Sequence, residues 1–133
     1  MSQFAAQPAP AVMADELLYA VDGAIATITL NAPQRMNTIS GPMLRQLTDA
    51  LVRANEDRAV RVIVLTGAGR AFCAGLNLEA QSKGTDNLSV GSGATPTNID
   101  LRNTPPPVLH AVDKPVIAAL NGSAAGYGLD LAL

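Results

Sequence analysis

Two apolar runs set the strongest limit on how this chain can fold. The first is VRVIVLT at residues 60–66, which is rich in β-branched side chains and is closed by Gly67. The second is PVIAAL at residues 115–120, which ends at Asn121-Gly122. Continuous apolar runs of this length, bounded by glycine, are typical of strands buried on both faces. We therefore predict two buried strands, each followed by a loop of small residues.

The residues before the first run predict a hairpin and then a helix. Residues 17–21 and 24–30 flank Asp22-Gly23, a dipeptide that accepts the positive φ angles of a tight turn. Ser40 is the predicted N-cap of an amphipathic helix that reaches about Asn55, with apolar residues at helical spacing: Leu44, Leu47, Leu51 and Ala54. A strand, a helix and a further strand form a βαβ crossover, so the predicted fold class is α/β.

The ends of the chain differ from its middle. Residues 1–14 are rich in Ala, Pro and Gln, which indicates a flexible tail. We expect residues 15–133 to form one domain. Residues 79–103 have loop chemistry, and a short helix is predicted from Pro105 to Val112. A last helix begins near Gly126 and has no C-cap before residue 133, which predicts a domain that is incomplete at its C-terminus.

Composition excludes several classes of function. A net charge of −2 with interspersed signs gives no basic face for nucleic acid. One cysteine and one histidine cannot form a zinc cluster or a Ser-His-Asp triad within these residues, so no metal site is predicted. The sequence has neither a secretory leader nor an apolar run of about 20 residues, so we expect a cytoplasmic protein without a membrane span.

The loops after the two predicted buried strands are the candidates for chemistry. They cover residues 72–78 (FCAGLNL) and 121–130 (NGSAAGYGLD), and their small residues let a ligand approach the backbone. If each loop presents an unpaired N–H, two donors could converge on one thioester oxygen. They would then stabilise the enolate that forms when the neighbouring carbon loses a proton.

Three segments resemble one known family. AFCAGLNLE is similar to the F-C-A-G-A-D-L segment of the enoyl-CoA hydratase/isomerase (crotonase) family, and KPVIAALNGSAAGYGLDLAL is similar to its K-P-V-I-A-A-V-N-G-x-A-x-G-G-G segment. LNAPQRMNTIS resembles the stretch that leads into the family's first helix. The resemblance covers nearly everything after residue 16 and implies a crotonase-like spiral of ββα units, here truncated.

The resemblance also implies a site and a substrate class. It places the two oxyanion-hole amides at Leu76 and Tyr127 and a candidate acid/base at Asp130. The residues that it implies for coenzyme A binding are Gln34, Met36, Ala74, Gly75, Asn77, Leu78 and Gly126. Coenzyme A would enter as part of an acyl-CoA substrate, with no resident metal or redox cofactor, and the full-length architecture implies a homotrimer or hexamer.

Departures from the family pattern leave the reaction open. Asp130 stands where the hydratases have glutamate, and their second glutamate would lie beyond residue 133, so hydratase, isomerase, dehydratase and hydrolase chemistry all remain candidates. Tyr127 replaces the usual glycine. The alternative is a non-catalytic truncated chain that acts at most as a coenzyme A-binding or interaction module.

Other reactive side chains have structural interpretations. Cys73 has apolar neighbours, so we interpret it as a cysteine packed in the core. His110 is interpreted as a partly exposed helix residue. Ser123 lacks the flanking glycines of a hydrolase elbow. Asp130, flanked by apolar residues, is predicted to be half buried, and the isolated basic residues are predicted to lie on a solvated face: Arg35, Arg70 and Lys114.

Overall fold

The computed structural model describes residues 15–77 and 105–133, and its first unit is the predicted hairpin. Strands β1 (Leu17–Asp22) and β2 (Ile25–Leu30) are antiparallel, with Asp22 opposite Ile25. The two-residue turn is therefore Gly23-Ala24, one residue later than predicted. Gly23 has a φ of 59° and Ala24 has no positive φ, so the turn needs a glycine only at its first position.

Helix α1 (Gly41–Glu56) begins at Ser40, as predicted, and ends one residue beyond Asn55. The Met43 N–H donates to Ser40 Oγ at 3.2 Å, which satisfies one of the unpaired donors of the first turn. The Ser40 hydroxyl donates to the Glu16 carboxylate, which also pairs with Arg35 at 3.2 Å. Arg35 is thus fixed by an ion pair and does not lie free on a solvated face.

The predicted crossover is present. Strand β3 (Val62–Gly67) pairs parallel with β2, and β5 (Val116–Ala119) pairs parallel with β3, which gives the order β1-β2-β3-β5. The apolar face of α1 joins the inward residues of these strands in one buried core. No helix in the described parts of the chain is long and apolar enough to cross a membrane.

The prediction that both apolar runs are buried on both faces is wrong. In β3, Ile63 and Leu65 are buried whereas Val62 and Val64 are partly exposed, and in β5 the side chain of Ile117 is 53% exposed. Within the described residues, alternate side chains of β3 face away from the buried core, and β5 is an edge strand.

A second, smaller sheet carries the two candidate loops. It consists of β4 (Ala71–Cys73) and β6 (Ser123–Ala124), which are parallel. Helices α2 (Pro105–Ala111) and α3 (Tyr127–Ala132) complete the described residues. Lys114 Nζ donates to the carbonyls of Ala54 and Asp57 at 2.7 and 2.5 Å, so this lysine caps the end of α1 and is not a solvated surface residue.

Asn37 joins the segment before α1 to the segment before β4. It is completely buried at a φ of 55°, a left-handed conformation that asparagine adopts more readily than most residues. Its Oδ1 accepts the Ala32 N–H at 2.7 Å, and its Nδ2 donates to the carbonyls of Ala68 and Ala71 at 2.9 and 2.8 Å. The side chain therefore satisfies three backbone groups, two of which lie more than 30 positions along the chain.

We predict that Asn37→Ala lowers the free energy of unfolding by about 3 kcal/mol, because it leaves buried polar groups without partners. Asn121→Ala is the matched control, since Asn121 makes the same kind of contacts but is exposed, and water can replace its amide. We expect that control to cost about 1 kcal/mol. Urea unfolding followed by circular dichroism measures both, and equal losses would contradict a special role for Asn37.

Candidate active site

The first loop is held against the residues before α1. The Ile39 N–H donates to the Gly75 carbonyl at 2.7 Å, and the Asn77 N–H donates to the Ile39 carbonyl at 2.8 Å. This is a parallel bridge between Ile39 and Leu76, in which the polar backbone groups of Leu76 itself point away from Ile39. In the described ranges, the Leu76 N–H has no acceptor.

The second loop turns at Gly126, where φ is 54° and ψ is −122°. Side-chain-bearing residues rarely adopt these angles, so glycine is required here. The Ala125 N–H donates to the Cys73 carbonyl at 3.0 Å, which fixes this loop to the first one. Tyr127 follows as the first residue of α3, and within residues 15–77 and 105–133 its N–H has no acceptor either.

The two loops touch where their glycines meet. A Cβ atom placed on Gly75 would lie 3.6 Å from the Ala125 carbonyl oxygen, and one placed on Gly126 would lie 3.9 Å from Gly75 Cα. One residue beyond these glycines come Leu76 and Tyr127, the two predicted amide donors. The structure thus brings Gly75 and Gly126 together, and the N–H immediately after each has no acceptor among residues 15–77 and 105–133.

Besides Gly75 and Gly126, the residues predicted to bind coenzyme A divide into three groups. Met36 and Ala74 are joined directly, because the Ala74 N–H donates to the Met36 carbonyl at 3.0 Å, and Asn77 continues along the same loop. Gln34 is exposed on the 3₁₀ turn Pro33–Arg35 that precedes Met36. Leu78 lies outside the described residues, as do the predicted tail (residues 1–14) and loop (residues 79–103).

Asp130 is exposed, so the prediction that it is half buried is wrong. The short helix α3 turns Gly128 and Leu131 towards the core, which leaves Asp130 on the outer side. There it lines a cleft of about 300 Å³ together with His110 and Lys114. A larger open groove of about 790 Å³ runs along the outer side of α1 and contains none of the predicted site residues.

The two loops contain two side chains with raised pKa values, Tyr127 and Cys73. Burial, and secondarily the Asp130 and Cys73 charges, raise the pKa of the Tyr127 phenol to about 12, so the phenol is neutral at physiological pH. Cys73 is completely buried, as the packed-cysteine interpretation expects, and burial raises the pKa of its thiol. A backbone hydrogen bond at Gly75 opposes only part of that shift. A neutral, enclosed thiol is a poor nucleophile.

Asn121 is a site-supporting residue that the sequence alone indicates only as part of a turn. Its Oδ1 accepts the Gly67 N–H at 3.1 Å, and its Nδ2 donates to the Gly69 and Ala71 carbonyls at 2.8 and 3.0 Å. Gly122, which follows, could not carry a side chain, because a Cβ atom would lie 2.0 Å from the Arg70 carbonyl oxygen. The Asn-Gly pair therefore fixes the start of the second loop against the residues before the first.

Comparison with known proteins gives the same family throughout. The family described as enoyl-CoA hydratase/isomerase matches residues 20–133. A probable enoyl-CoA hydratase of Mycobacterium tuberculosis, EchA14, is 43% identical over 119 residues, which cover 90% of this chain and 44% of that protein. The 1,2-epoxyphenylacetyl-CoA isomerase of Escherichia coli is 36% identical over 124 residues, which cover 91% of this chain and 45% of that protein.

Solved structures agree with the sequence comparison. An enoyl-CoA hydratase/carnithine racemase from Magnetospirillum magneticum superposes with a TM-score of 0.75 at 37% identity, covering 89% of this chain and 43% of that one. The chain thus spans under half the length of the relatives that it matches. The predicted fold class, α/β of the crotonase type, is confirmed. On sequence and structure together, the chain belongs to the enoyl-CoA hydratase/isomerase family.

Proposed function

We propose that this chain provides the thioester-binding part of an acyl-CoA-processing lyase or isomerase, with an oxyanion hole formed by the N–H groups of Leu76 and Tyr127. One observation carries the proposal: two loops that touch at Gly75 and Gly126 each present, at the next residue, an N–H that has no acceptor within the described residues. N–H groups at the start of a helix have no partner within the helix and are free to bind side chains, water or a ligand.

The chemistry needs donors of this kind. When an acyl-CoA loses a proton from C2, the electron pair moves onto the thioester oxygen and an enolate forms. Two amides fixed in advance stabilise that charge without reorganising, and one such donor contributes about 3 to 4 kcal/mol to transition-state stabilisation. The hydrogen bonds of the two loops to Ile39 and Cys73 supply that rigidity.

Asp130 is the proposed acid/base. It lies three residues after Tyr127 in α3, on neighbouring turns of the same side of the helix, at a rise of about 4.5 Å. A carboxylate at this position is close to a thioester whose oxygen is bound at the Tyr127 N–H, and C2 is one bond from the carbonyl carbon. Its exposure leaves it open to exchange protons with solvent.

Coenzyme A is proposed to lie along the first loop and the segment before α1. The hydrogen bond between Ala74 and Met36 makes these two segments one continuous surface, with Gln34 exposed at its end. Coenzyme A then enters as part of the substrate, and the proposal requires no resident metal or redox group. Assembly into trimers or hexamers stays a prediction from the family resemblance.

The decisive experiment follows the thioester carbonyl itself. Butyryl-CoA labelled with ¹³C at C1 should show a downfield shift of its carbonyl resonance when the purified chain is added, because hydrogen bonding polarises the C=O bond. Excess unlabelled butyryl-CoA should reverse the shift, which is the control for specific binding.

The other outcomes separate the alternatives. Binding of butyryl-CoA without a carbonyl shift would support the alternative that the chain is a coenzyme A-binding module without an oxyanion hole. Absence of binding by a folded chain would leave only an interaction module. If the shift occurs, loss of the conjugated absorbance of crotonyl-CoA assigns hydration, and exchange of C2 protons without that loss assigns a different enolate reaction.

A further inference from the structure

The outer side of α1 carries charges of alternating sign. Arginine and aspartate follow each other at every fourth position, in the order Arg45, Asp49, Arg53 and Asp57, and the last of these is the C-cap of the helix. All four line the open groove of about 790 Å³ on this side of α1. Val52, which also lines the groove, is 40% exposed. Residues four apart form one ridge on a helix surface, so the four charges lie in a row.

The charges of this ridge are not paired within the chain. In the part of the chain that the structure describes, none of the four side chains forms an ion pair with another side chain. Two of the three neighbouring pairs along the ridge have the basic residue first, which is the weaker order for pairing within one helix. The four charges are therefore available to a charged partner.

The order of the charges makes the ridge complementary to itself. When the ridge is turned end to end, each position changes sign. If two copies of α1 align antiparallel about a two-fold axis between Asp49 and Arg53, then Arg45 of each copy faces Asp57 of the other. Asp49 of each copy likewise faces Arg53 of the other, so the contact contains four pairs of opposite charge. A parallel alignment in the same register would place like charges opposite each other.

We propose that the outer side of α1 is a contact surface for a second copy of this chain, which binds antiparallel with two-fold symmetry. In a contact of this symmetry the same surface is used by both copies, as a self-complementary ridge requires. Ridges of residues four apart pack into each other's grooves at a crossing angle of about 50°. The contact is independent of the proposed function, because the groove contains none of the predicted site residues.

Two of the charged side chains are held in place before a second copy binds. The guanidinium carbon of Arg53 lies 4.6 Å from the centroid of the Tyr19 ring, and Asp57 Oδ1 accepts the Ala59 N–H at 2.9 Å. Less side-chain entropy is lost when such groups bind. A single pair of helices buries less area than a standard interface, so we expect weak association with a dissociation constant of about 10 µM to 1 mM.

Sedimentation velocity of the purified chain measures this association. The sedimentation coefficient should rise with protein concentration towards that of a dimer. Raising NaCl from about 0.1 M to about 1 M shortens the screening length from about 10 Å to about 3 Å, and should weaken the association by about tenfold or more. A chain that stays monomeric at millimolar concentration, or that associates equally well at high salt, would overturn the proposal.

Two charge reversals identify the surface that associates. Asp49→Arg and Arg53→Asp change exposed residues, and each turns two of the four pairs into like-charge pairs. Each variant alone should therefore remain monomeric. An equal mixture of the two should associate again, because every pair in the mixed dimer has opposite charges.

Arg70→Asp is the matched control, since Arg70 is exposed, lies outside the groove and changes the net charge by the same amount as Arg53→Asp. It should leave self-association unchanged. Circular dichroism checks the helix content of each variant, and Asp49→Arg is decisive because Asp49 makes no contact in the described residues that the change would remove. Self-association that persists in Asp49→Arg, or a mixture that stays monomeric, would contradict an antiparallel contact through α1.

Discussion

Replacing Tyr127 by proline should slow C2 proton exchange of butyryl-CoA by about 100- to 1,000-fold, the usual cost of losing one oxyanion-hole donor. Proline has no N–H, so the substitution removes the proposed donor. It breaks no internal hydrogen bond, because the Tyr127 N–H has no acceptor in the described residues. Proline is also well tolerated at the first position of a helix, which is where Tyr127 lies.

The backbone before Tyr127 is compatible with this change. Gly126, at φ 54° and ψ −122°, has the mirror image of the extended conformation that residues before proline prefer. Because glycine has no Cβ, this mirror-image conformation of Gly126 avoids a clash with the proline ring, just as the extended conformation does for other residues. We therefore expect Tyr127→Pro to fold.

Tyr127→Ala is the matched control, because it removes the ring but keeps the N–H. It should retain most of the exchange rate and the downfield carbonyl shift, both of which should be lost in Tyr127→Pro. Comparable losses in the two variants would assign the effect to the ring. An undiminished rate in a folded Tyr127→Pro variant would remove the Tyr127 amide from the mechanism.

Gly128→Ala should lower the free energy of unfolding by about 3 kcal/mol, at the upper end of overpacking effects. A Cβ atom on Gly128 would lie 2.1 Å from the Cys73 carbonyl oxygen and 2.7 Å from Cys73 Cβ. Both contacts involve atoms close to the backbone, so no flexible side chain can yield. The helix α3 must move away from β4, and the two amides must separate.

Gly23→Ala separates this steric effect from the cost of backbone conformation. Gly23 has a positive φ, but a Cβ atom added there would meet nothing within 4 Å, whereas Gly128 has no positive φ and no space. We expect Gly23→Ala to cost about 1 kcal/mol and to leave C2 exchange unchanged. Urea unfolding that gave Gly128→Ala the smaller loss would contradict the close approach of α3 to β4.

Local patterns in the sequence predict the main elements well. Ser40 caps α1 as its position indicates, and the β-branched run at residues 60–66 forms a strand parallel to the second strand of the hairpin. These features depend on short-range rules of capping, turn formation and periodicity, which act within a few residues. The two small-residue loops also meet as predicted, because parallel strands deliver their following loops to the same edge of the sheet.

Features that depend on distant partners could not be predicted in this way. The apolar run at residues 115–120 has the composition of a fully buried strand, yet Ile117 is exposed, since burial depends on what covers the strand and not on its own composition. Asp130 has apolar neighbours in the sequence but lies on the outer side of a short helix. Asn37 gives no local signal either, because two of its hydrogen-bond partners are more than 30 positions away.

The carbonyl oxygen of Ala71 receives hydrogen bonds from both Asn37 and Asn121. The side-chain amides of Asn37 and Asn121 therefore attach the segment before α1 and the start of the second loop to the same peptide group, that of Ala71. A displacement of that peptide group would carry both loops in the same direction and preserve the spacing between their donors. Since a misplacement of about 1 Å can cost 100-fold in rate, we expect this common anchor to help keep the spacing between the two amides constant.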